Sequence, residues 1–92
     1  MNNLLNNGTV IDVRSTNEFS QGHFPGAINI PLDKIAESIG ELQKMKQPIV
    51  AYCRSGNRSG MAVNILRLAG LKEVCNAGGL EDVLKLKNLN RD

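Results

Sequence analysis

Tryptophan is absent from this chain of 92 residues, and Phe19, Phe24 and Tyr52 are its only aromatic side chains. The core must therefore be aliphatic, and the stacking platforms that grip single-stranded nucleic acid are missing. No charge excess makes up for them. Eleven Lys and Arg against nine Asp and Glu leave a formal +2, with the basic residues spread along the chain, which does not describe a nucleic-acid binder. No apolar run nears the roughly 18–20 residues needed to span a bilayer, so no membrane partner is expected. The start, Met1-Asn2-Asn3-Leu4-Leu5, lacks the basic and hydrophobic regions of a secretory signal. The chain thus reads as cytoplasmic, although a periplasmic protein given a new initiator Met after loss of its signal peptide would look the same. Cys53, Cys75 and His23 are the whole supply of soft ligands, at spacings that make no zinc site.

Hydrophobic residues at 41% and charged residues at 22% describe a folded globular chain. At this length one core is the limit, so residues 1–92 are expected to form a single domain with a polar tail over about 87–92. Thr9 to Val13 is short and β-branched, a first buried strand. Ser15, Thr16 or Asn17 caps a short helix through Phe19 and Gln21, which Gly22 ends before the Pro25-Gly26 turn. Ala27 to Ile30 forms a second strand. Leu32, Ile35, Ile39 and Leu42 recur at helical spacing from near Asp33, with Gly40 marking an early end. Ile49 to Tyr52 is the continuous apolar run of a central parallel strand. From Ser59 a helix puts Met61, Ala62, Ile65, Leu66 and Ala69 on one face, with Gly70 just past its end. Glu73 to Asn76 is a last strand, Gly78-Gly79 a turn and Leu80 to Leu84 a short helix. Strands alternating with helices predict an α/β domain, a mainly parallel central sheet flanked by helices. Its functional loops belong at the carboxyl ends of the strands.

The segment Cys53-Arg54-Ser55-Gly56-Asn57-Arg58-Ser59 joins the central strand to a helix. Loop N–H groups and a helix N-terminus then converge on the cysteine sulfur, which is an anion site. Such a field favours the thiolate, making Cys53 the candidate nucleophile. Gly56 lets the loop turn where a side chain would intrude. Arg54 and Arg58 add guanidinium forks suited to sulfonate, phosphate or sulfite, and Ser55, Asn57 and Ser59 brace the loop or touch substrate. Arg58 in a first helical turn opposes the macrodipole and calls for an anion or a carboxylate. The expected substrate is a small anion carrying an electrophilic atom.

Other polar residues read as structural. Cys75 lies in a short apolar strand, where cysteines are commonly packing. His23, beside Pro25-Gly26, fixes a turn more naturally than it serves as a base. Asp12 and Arg14 flank Val13 as an ion pair or a loop brace, and Glu18 is a partner within reach of Arg14.

Three blocks resemble the rhodanese-like sulfurtransferases, in order and over nearly the whole chain. The first is Ile11-Asp12-Val13-Arg14 with Glu18-Phe19 and Gly22-His23-Phe24-Pro25-Gly26-Ala27-Ile28-Asn29-Ile30-Pro31. The second is Tyr52 to Ser59, and the third Asn76-Ala77-Gly78-Gly79-Leu80. The resemblance, nearest to the short phage-shock type, implies a single-domain thiosulfate sulfurtransferase that acts as a monomer without metal or organic cofactor. The family's catalytic cysteine maps to Cys53 and its cradle of amides to Arg54 through Ser59. Cys53 would take the outer sulfur of thiosulfate as a persulfide, release sulfite, and pass the sulfur to cyanide or a thiol. Two departures stand out. Val83 or a neighbour stands where many members carry tryptophan, and the segment before Thr9 is short, so an N-terminal helix is reduced or missing.

Two rivals remain. Cysteine phosphatases and arsenate reductases use the same strand, loop and helix with five residues between Cys and Arg. Here four residues separate Cys53 from Arg58, and Tyr52 replaces a histidine often found before the phosphatase cysteine. The other rival is a persulfide carrier or binding module without turnover.

Overall fold

The computed structural model describes residues 8–89. Four strands, β1 (Thr9–Asp12), β2 (Ile28–Asn29), β3 (Ile49–Cys53) and β4 (Val74–Gly79), alternate with four helices. The helices are α1 (Thr16–Ser20), α2 (Ile39–Lys44), α3 (Asn57–Leu68) and α4 (Leu80–Leu89). The sheet is parallel throughout, in the order β2-β1-β3-β4. Every residue of β3 is buried, as expected of a strand covered on both faces.

Strand alternation divides the core in two. Ile49, Ala51 and Cys53 point into a larger aliphatic cluster with Ile11, Ile35, Leu42, Ala62 and Leu66. Val50 and Tyr52 point the other way, against Val10, Phe24 and Val83. Val83 is fully buried, so an aliphatic residue fills the sheet face beneath α4.

Several boundaries differ from the sequence expectations for local physical reasons. Helix α3 begins at Asn57, two residues before Ser59, because Gly56 with φ 100° already turns the chain into it. Met61 does not join the buried face, which consists of Ser59, Ala62, Val63 and Leu66; Met61 is exposed. The helix ends as foreseen. Leu71 N–H donates to Leu66 O and Gly70 N–H to Arg67 O, with Gly70 at φ 104°, a Schellman arrangement.

The expected helix from Asp33 breaks into 3-10 turns at Leu32–Lys34 and Ala36–Ser38, and only then becomes α2, with Gly40 inside the helix instead of ending it. The Gly78-Gly79 pair is not a turn but the end of β4. There Ala77 is an extra residue: Ala51 pairs with Asn76 and Tyr52 already with Gly78. Helix α4 runs to Leu89 and takes in the start of the expected polar tail, while the short N-terminal segment and the end of that tail lie outside the described residues.

Candidate active site

Strand β3 delivers Cys53 to its carboxyl end, and the chain then wraps back over the sulfur. Gly56 N–H reaches Sγ at 3.0 Å, Ser59 N–H at 3.4 Å and the Ser59 hydroxyl at 3.5 Å. Burial pushes the Cys53 thiol up, yet donation from the Ser59 hydroxyl and from the N–H groups of Ser59, Ser55 and Gly56 outweighs it, so its pKa falls below the ordinary value. Of the expected site residues, Gly56 and Ser59 touch the sulfur, and Ser55 contributes its backbone N–H to that field. Arg54, Ser55 and Asn57 have exposed side chains on the rim of the loop.

Arg58 is held by a carboxylate. Its Nη1 and Nη2 donate to Glu18 Oε1 and Oε2 at 2.8 and 3.0 Å, a bidentate fork between α3 and α1. Glu18 therefore pairs with Arg58, not with Arg14, which is satisfied elsewhere. The same Glu18 carboxylate accepts from the Ser15 N–H at 3.0 Å, completing a capping box at the start of α1. Arg58, followed by the Ser15 N–H, holds the Glu18 carboxyl down at about 2, and Glu18 in turn raises Arg58.

Beneath the site lies a buried polar cluster. Arg14 Nε and Nη2 donate to Asp12, with Nη2 to Oδ2 at 2.7 Å, and Nη2 also donates to Gly22 O at 2.6 Å. Tyr52 donates its hydroxyl to Asp12 Oδ2 at 2.7 Å and accepts from Phe24 N–H at 2.9 Å. Burial foremost, helped by Asp12, pushes Tyr52 up to about 12, and hydrogen bonding to Asp12 raises Arg14. All these groups have partners, so the cluster locks β1 to β3 and to the Gly22–Phe24 turn. His23 belongs to that turn: its Nδ1 donates to Phe19 O at 2.9 Å, and its ring stacks on Phe19 at 3.7 Å.

Two contributors went unmarked in the sequence as parts of the site. Asn76 on β4 accepts from the Ser59 hydroxyl at 2.6 Å and from Gly78 N–H at 2.9 Å, and donates to Gly56 O at 3.0 Å. The glycine pair lets β4 approach the loop. A Cβ at Gly79 would overlap the Arg54 carbonyl oxygen, and one at Gly78, where φ is 93°, would come within 2.8 Å of Asp82. An open cleft of about 640 Å³ runs beside the loop, walled by Arg54, Arg14, Glu18, Gly79, Leu80 and Asp82. Among the described residues Arg54, which lines this cleft, makes no ion pair. No helix of the described residues is long and apolar enough to cross a membrane.

Known proteins resemble this chain in sequence and fold. Residues 1–86 match the family described as Rhodanese-like domain. The chain is 45% identical over 74 residues to the thiosulfate sulfurtransferase PspE of Escherichia coli K12, covering 79% of this chain and 71% of PspE. It is 43% identical over 70 residues to the uncharacterized protein YqhL of Bacillus subtilis, covering 76% of this chain and 55% of YqhL. A solved structure of a rhodanese with anions from E. coli matches with a TM-score of 0.74 at 41% identity, covering 80% of this chain and 88% of that one. With residues 1–86 matching that family and with these relatives, the chain belongs to the rhodanese-like domain family.

Proposed function

We propose that the protein is a thiosulfate sulfurtransferase working through a persulfide on Cys53. The observation that carries this reading is the convergence of the Gly56 and Ser59 N–H groups on one sulfur, which favours a thiolate. The Cys53 thiolate attacks the outer sulfur of thiosulfate, a new S–S bond forms, and the old one breaks with its electron pair leaving on sulfite. Sulfite departs as a stable anion and needs no proton donor. The terminal persulfide sulfur is then taken by cyanide, giving thiocyanate, or by a thiolate, giving a new persulfide; either way the Cys53 thiolate is restored. The loop amides stabilise the negative charge on the bound sulfur throughout.

Arg54, on the cleft wall and free of an ion pair among the described residues, is the cation best placed to meet the sulfonate end of the donor. Arg58, pinned by Glu18, contributes a fixed positive field beside the loop rather than a mobile fork. The similarity to PspE, a thiosulfate sulfurtransferase, supports the choice of donor.

The decisive test is the intact mass of the protein after thiosulfate treatment, beside Cys53→Ser, with thiocyanate measured from the same samples on adding cyanide. A gain of one sulfur atom on wild type only, with repeated thiocyanate formation, is expected. Loading without turnover would replace the enzyme by a persulfide carrier. No loading, with hydrolysis of a phosphate ester or reduction of arsenate, would move the assignment to the phosphatase class. Arg54→Ala should raise the thiosulfate concentration needed for half-maximal rate while leaving the loaded mass unchanged.

A further inference from the structure

The Ser59 hydroxyl has one hydrogen and three acceptors within reach. Asn76 Oδ1 lies at 2.6 Å, Gly56 O at 3.2 Å and Cys53 Sγ at 3.5 Å. The amide oxygen cannot donate, so Asn76 Oδ1 at 2.6 Å competes with the sulfur at 3.5 Å for the one hydroxyl hydrogen. The orientation of the amide is fixed by two backbone groups. Its Nδ2 donates to Gly56 O at 3.0 Å and its Oδ1 accepts from Gly78 N–H at 2.9 Å, and a flipped amide would set NH₂ against N–H. Because Oδ1 keeps the Gly78 N–H, Asn76 is not left unsatisfied when the Ser59 hydroxyl turns to the sulfur. The hydroxyl is therefore shared among these acceptors, the sulfur included.

We infer that Asn76 is a positioning residue that competes with Cys53 for the Ser59 hydroxyl, so that the backbone N–H groups stabilise the thiolate in full and the hydroxyl only in part. The chemical reason lies in the balance between thiolate population and reactivity, since a thiolate stabilised by every donor in reach is a poorer nucleophile. The inference rests on Cys53 being the nucleophile of the proposed reaction. Other charged and titratable groups on the elements that flank the loop are Arg54 on the loop, Arg58 of α3 with its Glu18 partner on α1, the Asp12–Arg14 pair at the end of β1, Tyr52 on β3 and Asp82 on α4. None of them is hydrogen-bonded to Asn76, so substitution at 76 leaves that field in place.

The test is the pH dependence of iodoacetamide labelling at Cys53, read by peptide mass because Cys75 is a second thiol. Asn76 is exposed and contributes little to the core, so its variants are expected to fold. Asn76→Ala frees the hydroxyl for the sulfur and should move the labelling midpoint down by about half a pH unit, the worth of one modest hydrogen bond. Asn76→Asp keeps the acceptor, adds a negative charge, and should move the midpoint up. Asn76→Ala combined with Ser59→Ala should match Ser59→Ala alone. A merely structural role would move both single variants upward together, and that result, or an unmoved midpoint in Asn76→Ala, overturns the inference. Labelling reports the thiolate whatever the donor or acceptor, so this test can fail while thiosulfate turnover stands, and can succeed where turnover is absent.

Discussion

Cys53 and Cys75 sit on neighbouring strands of one sheet, both largely withdrawn from water, and their environments shift them in opposite directions. Cys75 packs on the Val50–Tyr52 face of the sheet, and burial pushes its thiol up. Cys53 lies on the other face, burial opposes its ionisation too, and the ring of donors from Ser55, Gly56 and Ser59 reverses the outcome. Withdrawal from water does not make a reactive cysteine; donors aimed at the sulfur do. The pairing of Cys75 with Val50, three residues before Cys53 on β3, sets the two on opposite faces and roughly 10 Å apart along the strand. A resolving disulfide between them would need the sheet to come apart.

The largest effect expected from breaking this contrast is at Cys53 itself. Cys53→Ser should abolish sulfur loading and leave the melting temperature near wild type, while Cys75→Ala should retain loading; loss of loading in Cys75→Ala alone would erase the distinction. The next largest effect strikes the donors through the backbone. Gly79→Ala drives a Cβ against the Arg54 carbonyl, and Ser55 Cα lies only 3.4 Å from the same point, so the loop must shift. A cost of about 1–3 kcal/mol in stability is expected from overpacking of this kind. As the amides lose their aim, the Cys53 labelling midpoint should rise toward that of Cys75. Gly40→Ala, in an open helical position with nothing near its Cβ, is the control and should stabilise by up to about 1 kcal/mol.

What could be read from the sequence was what is local in it. The apolar run ending at Cys53 and the short polar loop after it are contiguous, so the strand, the turn and the N–H groups gathered on the sulfur followed from one stretch of residues. A cap among Ser15, Thr16 and Asn17, which the structure resolves to Ser15, and Gly70 past α3 were legible for the same reason. Unreadable were contacts that topology creates. Glu18 and Arg58 lie 40 positions apart and meet only because α1 and the start of α3 gather at one end of the sheet. Arg14 was a nearer partner in sequence, but Asp12 on the adjoining strand end claims it. Asn76 carried a weak signal, a polar residue in an apolar strand before two glycines. Its meaning depends on the bulge that brings Gly78 level with Tyr52.

A smaller effect sharpens the comparison without disturbing the fold. Ser59→Ala removes the side-chain hydroxyl that reaches the sulfur and leaves the N–H groups of Gly56 and Ser59 in place. The Cys53 labelling midpoint should rise by about half to one pH unit and still lie below that of Cys75. A midpoint rising all the way to that of Cys75 would mean that the hydroxyl, not the backbone ring, makes the nucleophile.

The smallest effect is expected at Glu18, which acts on the loop only through Arg58. Its folded-state carboxyl is depressed to about 2 from an ordinary 4.5, so the ionised form is favoured by folding. The sign follows from linkage: the contribution is fully present above about pH 4.5 and disappears as pH falls through about 2. Glu18→Gln should therefore be less stable than wild type by about 1 kcal/mol at neutral pH, the scale of a forked pair that is only partly buried. The two proteins should converge in urea titrations as pH is lowered from 5 toward 2. A gap that persists at the acid end would mean that Glu18 stabilises the fold through contacts that do not depend on its charge. Convergence together with an unchanged Cys53 labelling midpoint would leave the fork as a clamp on α3 that the sulfur does not feel.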